Sequence, residues 1–421
     1  MATGPFGSAI SSRFFVDSGV PVIRGSNLSD DTGVRISDAN LVYIPDDLAR
    51  KFSRSEVRLG DLVFTCWGTI GQVGLIDQRA GYDRYIVSNK QMKLTPDATV
   101  ADSLFLYYVY SSPQVVERIQ GQKIGSSVPG FNLGQLKAIT IPVPPLEEQR
   151  RIAGVLGALD DRIELNRKMN RTLEEMAQAI FKSWFIDFDG VPHSEMVDSE
   201  LGPIPGAVKL VYLGDILSDL ETGKRPKGGV KQIASGVPSI GAESIVGVGR
   251  YDFAKTKYVP EEFFVKMKKG VLRDRDVLVY KDGGKPGDFR PHVSMFGDGF
   301  PFNRAAINSH VYRLRADGRV SQEYLYFWLA SDSMLALMRR MGTGAAIPGI
   351  PKRNLVRIPV VLPERGRVER FQEYAEPAVS RIFANANQSR TLEELRDALL
   401  PKLISGEIRV PEAEKAVEAV L

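Results

Sequence analysis

Hydrophobic residues between Leu146 and Asp187 recur every seven positions. Ile152, Leu159, Asn166, Leu173 and Ile180 form one row, and Leu156, Ile163, Asn170, Ala177 and Trp184 form its companion. No proline interrupts the stretch. A heptad pattern held this long predicts a helix, about Leu146–Phe185, lying against a second long helix. At about 1.5 Å per residue such a rod spans roughly 60 Å. An apolar stripe of that length needs a covering partner.

The pattern returns 219 residues further on. Arg171-Thr172-Leu173-Glu174-Glu175 recurs as Arg390-Thr391-Leu392-Glu393-Glu394, and at the same offset Ile163 becomes Ile382, Asn166 becomes Asn385 and Ile180 becomes Leu399. The second helix is predicted over about Val368–Ile404, antiparallel to the first in a coiled coil. Its seam is the weaker one, because Arg396 stands where Ala177 stood. Asn166 and Asn385 fall on the seam, where an asparagine costs stability but specifies register.

Residues 1–145 carry a different pattern, of short apolar runs broken by glycine and proline. Strands are predicted within Val20–Gly25, which leads into a loop, and at Asp61–Trp67, Val73–Ile76 and Tyr85–Leu94, and a short buried helix at Ser103–Tyr110. The long helix region occupies 146–187, a turn-rich connector 188–205, a second globule 206–365, the second long helix 366–405 and a tail without clear signal 406–421. The second globule repeats the landmarks of the first. Thr3-Gly4 matches Thr222-Gly223, Gly19-Val20-Pro21 matches Gly236-Val237-Pro238, and Tyr85–Leu94 matches Ala305–Leu314. Ser103–Tyr110 matches Gln322–Leu329, and Val128-Pro129-Gly130 matches Ile347-Pro348-Gly349. The expected fold is therefore α+β: two mixed, strand-rich domains and two long antiparallel helices related by an internal pseudo-two-fold repeat, with the globules at opposite ends of a rod.

Composition supports an ordered protein, with 43% hydrophobic and 25% charged residues. At 421 residues the chain exceeds one ordinary core. Lys and Arg number 55 against 51 acidic residues, a net charge of +4 that permits nucleic-acid binding without arguing for it. The single cysteine, Cys66, excludes an intrachain disulfide. No apolar run reaches membrane-spanning length, so neither membrane insertion nor secretion is expected, and the location read from the sequence is cytoplasmic.

Catalytic chemistry is hard to find. His193, His292 and His310 are scattered away from the cysteine, which excludes a Cys/His zinc site. Gly342-Thr343-Gly344 and Gly283-Gly284-Lys285 lack the spacing of nucleotide loops. The acidic pairs Asp30-Asp31, Asp46-Asp47 and Asp160-Asp161 have no Glu-x-Lys element after them to build a nuclease centre. Thr222-Gly223-Lys224-Arg225-Pro226-Lys227-Gly228-Gly229 is more informative, placing Lys224, Arg225 and Lys227 in a glycine-bordered loop suited to a phosphate backbone and base edges. Lys281, Lys285 and Arg290 add donors in the same globule. In the first globule the candidates are Arg13, Arg24, Asn27, Trp67, Thr69, Arg84 and Lys123. An ordinary solvated surface is the alternative for each. Phe181, Phe185 and Phe188, near the end of the first long helix, are expected to stay exposed as a contact surface for a partner subunit, with packing under the Asp189–Pro205 connector as the alternative.

Two local signatures, Pro142-Val143-Pro144-Pro145-Leu146-Glu147-Glu148-Gln149-Arg150-Arg151-Ile152-Ala153 and Ala179-Ile180-Phe181-Lys182-Ser183-Trp184-Phe185-Ile186-Asp187-Phe188, join Thr222-Gly223-Lys224 and Leu399-Leu400-Pro401-Lys402-Leu403-Ile404-Ser405-Gly406 in a pattern that covers nearly the whole chain. This pattern resembles the specificity subunit of a Type I restriction–modification system. The resemblance implies a non-catalytic subunit that binds a bipartite double-stranded DNA target, one half-site per recognition domain, and holds two methyltransferase subunits. It implies no cofactor on this chain; the methyltransferase partners would use S-adenosylmethionine, and restriction subunits in the full complex ATP and Mg. A stand-alone DNA-modifying enzyme with duplicated domains, or a coiled-coil adaptor without DNA contact, are the alternatives. The sequence departs from the family pattern at Met1, which directly precedes Thr3-Gly4 without the strand at Leu213–Leu217 that opens the second globule. The Pro-Leu-x-Glu-Gln signature also decays in the second copy, to Leu362-Pro363-Glu364-Arg365-Gly366.

Overall fold

The computed structural model describes residues 1–5, 9–125, 128–344 and 347–421. The chain divides into two compact units, one made of Met1–Glu164 with Thr391–Leu421 and the other of Leu165–Arg390. Each unit therefore holds one globule and part of each long helix.

Among its described residues the first unit holds eight short strands: β1 (Ala2–Thr3), β2 (Val20–Ile23), β3 (Val42–Ile44), β4 (Glu56–Arg58), β5 (Leu62–Thr65), β6 (Val73–Leu75), β7 (Arg84–Val87) and β8 (Gln91–Leu94). They form two sheets, ordered β1-β8-β5-β6 and β3-β2-β7-β4, with β2 and β7 parallel and every other pair antiparallel. The strand expected at Tyr85–Leu94 is thus two strands in different sheets. At the corner Ser88 N–H donates to Ile23 O (2.9 Å), and Lys90 O accepts from Cys66 N–H (2.8 Å). Apolar residues continue on both sides of this corner, so alternation alone cannot reveal it.

Helices α1 (Asp46–Lys51), α2 (Ser103–Ser111), α3 (Pro113–Gly121) and α4 (Leu133–Ala138) complete the globule before α5 (Leu146–Phe185) begins. The carboxylate of Asp102 caps α2 by accepting from Phe105 N–H (2.8 Å), and Phe105 to Tyr110 are all buried. The Leu-Glu-Glu-Gln signature has a structural explanation here. Gln149 is buried in the first turn of α5, donates to Val100 O (3.0 Å) and Pro144 O (2.8 Å), and accepts from Asp102 N–H (2.9 Å). It ties the start of the long helix to the cap of α2.

In the second unit a small hairpin, β9 (Met196–Val197) with β10 (Ile204–Pro205), follows α5. Then come β11 (Lys209–Tyr212), β12 (Leu217–Thr222), β13 (Val237–Ile240), β14 (Lys257–Val259), α6 (Glu261–Val265), β15 (Val277–Tyr280), β16 (Val293–Met295), β17 (Ala306–Ile307) and β18 (Val311–Ala316). Helices α7 (Gln322–Ala330), α8 (Asp332–Met341) and α9 (Lys352–Leu355), strand β19 (Pro359–Leu362) and the long α10 (Arg365–Ser405) end it. The sheets are ordered β12-β18-β15-β16 and β14-β13-β17, and β11 pairs with β19. The first order matches β1-β8-β5-β6 strand for strand, and β13 runs parallel to β17 as β2 does to β7. Ala305–Leu314, like Tyr85–Leu94, splits between two sheets at a corner.

The paired Thr-Gly landmarks lie at one such junction in each unit. A Cβ at Gly4 would sit 1.8 Å from Ser88 O, and one at Gly223 1.5 Å from Ile307 O. Only a residue without a side chain lets these backbones cross.

Within the second unit α5 and α10 run antiparallel, contacting Asn166 to Asn385 and Ser389 but Phe181 and Phe185 to Phe371. The seam asparagines form a polar layer. Asn166 Nδ2 donates to Gln388 Oε1 (3.0 Å), Asn385 Nδ2 to Asn170 Oδ1 (2.9 Å) and Asn170 Nδ2 to Ile382 O (3.2 Å). Beyond this layer the expected seam drifts. Leu173 and Ile180 are only partly buried, whereas Ala177, Phe181, Phe185 and Phe188 are buried. The expectation of an exposed Phe181, Phe185 and Phe188 is therefore corrected. Phe181 and Phe185 meet Tyr324 of α7 at 5.1 and 5.0 Å between ring centroids, and Phe181 also meets Trp328 at 6.2 Å. α5 has two helical neighbours here, so its apolar face turns toward α7.

The first unit receives the end of α10 and a further helix, α11 (Val410–Glu418), which the sequence reading left as a tail. Val410, Ala413 and Val417 are buried on one side of it, and Pro411 stands in its first turn. Among the described residues no helix is long and apolar enough to cross a membrane, and no cluster of His, Cys, Asp and Glu is arranged to hold a metal ion.

The weak point of the second seam is an ion network. Arg396 Nη1 donates to Asp160 Oδ1 (2.9 Å), the Tyr108 hydroxyl donates to Asp160 Oδ2 (2.5 Å), and Arg35, itself paired with Asp77, lies 3.9 Å from the same oxygen. The Asp160 and Arg396 side chains are 0% and 4% exposed. Burial, then the Asp160 charge, pushes the Tyr108 hydroxyl well above its usual range, so it remains a donor. At the same offset the second unit holds Val379, Ala177 and Phe327, all buried. Arg396→Met removes the nearest cation from Asp160, leaving only the Tyr108 hydroxyl and the more distant Arg35, and should cost up to about 3–5 kcal/mol in urea unfolding. Adding Tyr108→Phe and Asp160→Val should recover most of that loss. A triple variant no more stable than the single one would make the network a net stabiliser.

Candidate nucleic-acid interface

The first unit offers its candidates unevenly. Arg13 is exposed and lies 4.5 Å over the Phe14 ring. Lys123 is exposed, and Trp67 is 44% exposed with its ring against Gly130. Thr69 is exposed and donates to Gln72 Oε1 (2.6 Å). The neighbouring pair Ser126 and Ser127 lies outside the described residues.

Three other candidates are committed within the protein. Asn27 is fully buried, accepts from Arg24 N–H (3.0 Å) and donates to Ser37 O (2.9 Å) and Ala39 O (3.1 Å). Its expected place on the DNA surface is corrected: a short amide after β2 was needed to satisfy a folded loop. Arg24 is half-buried and donates to Asn40 O (2.8 Å). Arg84 pairs with Asp46 and, at 3.5 Å, with Glu56.

In the second unit Lys224, Arg225 and Lys227 are all exposed, and none makes a hydrogen bond or close ion pair with a described residue. Gly228 and Gly229 take the left-handed conformation (φ 86° and 80°) with open space around them. Gly223 differs: its close approach is to the protein's own backbone at Ile307. The loop is thus anchored at its start and free beyond.

The second cationic segment is partly self-satisfied. Lys281 pairs with Asp282, which also bonds the His310 ring. Burial pushes the Asp282 carboxyl up, but those two partners outweigh it and hold it below its usual range. Arg290 Nε and Nη2 both reach Asp288 Oδ2 at 2.7 Å, which lowers the Asp288 carboxyl. Lys285 is exposed. Burial, then Arg290, lowers the His292 ring below its usual range, leaving it neutral at pH 7.

Sequence reasoning missed Glu243. It stands in the turn after β13 and, with Tyr280, Lys285, Arg290 and His292, lines a cleft of about 420 Å³. Its signal was faint: a single acidic residue between Ala242 and Ser244, in a turn matching Gly25–Asn27 of the first unit.

Residues 18–175 match the family described as Type I restriction modification DNA specificity domain. The chain is 28% identical over 313 residues to the Type I restriction enzyme MjaIX specificity subunit of Methanocaldococcus jannaschii, covering 74% of this chain and 70% of that protein. It is 24% identical over 392 residues to the Type I restriction enzyme HindI specificity subunit of Haemophilus influenzae, covering 77% and 82%. The crystal structure of the Type-I restriction-modification system S subunit from M. genitalium superposes with a TM-score of 0.51 at 16% identity, over 95% of this chain and 92% of that one. At that identity the likeness concerns the fold.

Two outcomes follow for the first unit. Asn27→Ala should lower stability by about 1–3 kcal/mol, because it leaves loop carbonyls unpaired, while Lys123→Ala leaves the thermal midpoint unchanged. Burial pushes the Cys66 thiol up to about 11. Only thiolate is nucleophilic, so alkylation of the native protein should be slow at pH 8 and accelerate when urea unfolds it. Fast native labelling would contradict that burial.

Proposed function

This chain belongs to the family of Type I restriction–modification specificity subunits, and from that premise we propose that it reads a bipartite double-stranded DNA target, one half-site per unit. The observation that carries the reading is a matched scaffold with unmatched surfaces. Both units use the same four-strand order and the same parallel pair beside it, yet one presents Trp67 and Lys123 and the other Lys224, Arg225, Lys227 and Lys285. Backbone contacts position a protein on DNA, and side chains in the grooves specify sequence. A repeated scaffold with exchanged side chains suits two half-sites of different sequence.

The pseudo-two-fold repeat and the coiled-coil pairing of α5 with α10 belong to the same proposal. The helix pair acts as the ruler of half-site spacing, with Asn166 and Asn385 specifying its register. The subunit recruits two methyltransferase subunits that use S-adenosylmethionine, and through the assembled complex restriction subunits that use ATP and Mg. Since Phe181, Phe185 and Phe188 are core residues, the docking surface for those partners lies elsewhere.

Removing one heptad from each helix shortens the pair by about 10 Å, close to the rise of about 3 base pairs. Sites selected from random DNA by the assembled complex should show a gap shorter by about that number, with both half-site sequences unchanged. Altered half-sites at a constant gap would exclude the ruler.

The basic loop separates affinity from choice. Lys224→Ala or Lys227→Ala should weaken binding to all DNA and reduce the salt slope by roughly one each. Arg225→Ala should cost about 1–3 kcal/mol of discrimination in one half-site and spare the other. Titrations of cognate and single-base variant duplexes across a salt series distinguish these effects. Wild-type behaviour in all three variants would leave the loop as solvated surface.

A further inference from the structure

Strands β2 and β13 occupy matching places, each running parallel to its neighbour, and each ends in a short 3-10 turn. The turn reads Arg24-Gly25-Ser26-Asn27 in the first unit and Gly241-Ala242-Glu243-Ser244 in the second. One backbone position thus carries an exposed serine or a glutamate.

Glu243 faces the cleft described above, whose other carboxylate, Asp288, is already occupied by both donors from Arg290. Glu243 is bonded by Lys257 through Oε1 alone, and among the described residues its Oε2 bonds to no other residue. Burial pushes its carboxyl up, but the Lys257 ammonium and a hydrogen bond from its own backbone N–H, joined more weakly by Arg225, more than offset this and hold it below the usual carboxylate range. It is therefore ionised at neutral pH and can only accept. The surrounding cations lessen its repulsion from a phosphate backbone.

Resting on the DNA-recognition reading above, we propose that Glu243 determines specificity in the second half-site by accepting a hydrogen bond from the N4 amino group of a cytosine in the major groove. Only cytosine and adenine present an amino donor there. On adenine the amino group sits beside the N7 acceptor, which repels a carboxylate. On cytosine the amino group has guanine O6 on one side only and the C5–H edge on the other, so an ionised glutamate approaching from that edge selects it. Lys285, exposed on the same cleft, is placed for a flanking phosphate.

The test uses the complex assembled with its methyltransferase subunits and a duplex library randomised in the second half-site. Wild type should prefer cytosine at one position by roughly tenfold or more. Glu243→Gln should abolish that preference and favour adenine there, since an amide both accepts from N6 and donates to N7. Lys257→Gln removes the internal partner of Glu243 and should keep the cytosine preference, separating reading from a merely structural ion pair. An unchanged profile in Glu243→Gln, or the same loss of preference in both variants, would overturn the proposal while leaving DNA recognition standing. A wild-type complex that selects no sequence in this half-site would overturn the broader reading as well.

Discussion

Neither long helix can keep its apolar stripe in water, and the fold follows from how each unit covers it. In the second unit α5 packs against α10 and α7 together, so its aromatic residues turn inward as Phe181, Phe185 and Phe188. In the first unit α5 packs against the end of α10, α2 and α11, and the seam admits charge. The same requirement is therefore met twice with different chemistry. Asp160, Arg396 and Tyr108 satisfy one another where Val379, Ala177 and Phe327 exclude water. A buried pair of that kind gains little over an apolar replacement but penalises any arrangement that separates its members. Its expected contribution is therefore to the correct pairing of helices more than to their stability, the alternative that the triple variant tests.

A comparable exchange occurs where backbone conformation is demanding. Gly60 precedes β5 by two residues with φ 91°, and Arg275 precedes β15 by two with φ 64°. A left-handed arginine costs about 1–2 kcal/mol more than a glycine. Its side chain offsets this cost, donating to Ser380 Oγ (2.5 Å) and lying 5.3 Å over the Phe383 ring of α10. The globule of the second unit is thereby fastened to its own helix by a residue the first unit lacks.

Much of this architecture was legible in the sequence because it rests on periodicity. The heptads located both long helices within a few residues, and the paired landmarks located the matching strands. What periodicity could not show was a change of partner. The seam drifts after Asn170 because α7 lies nearby, and Tyr85–Leu94 breaks at a corner that alternation passes over. α11 was missed because its three inward residues, Val410, Ala413 and Val417, form too short a pattern to stand out. For the candidate site, residue type was a poor guide to availability. Asn27, Arg84 and Lys281 carry the right groups for DNA, but each is bound within the protein, and only the fold reveals those partners.

The two glycine landmarks and the turn at Glu243 show how such a scaffold can vary without losing its shape. At Gly4 and Gly223 any side chain would collide with a carbonyl one strand away, so the crossing tolerates no change. One strand further on, the 3-10 turns after β2 and β13 take their shape from backbone hydrogen bonds. Asn27 N–H donates to Arg24 O (2.9 Å), and Ser244 N–H to Gly241 O (3.1 Å). Since the turn is closed by main-chain groups, its outward residue is free to differ, as Ser26 and Glu243 do. A protein that must retain one frame while changing what it reads needs this separation: shape assigned to backbone contacts, and choice assigned to side chains that the frame does not require.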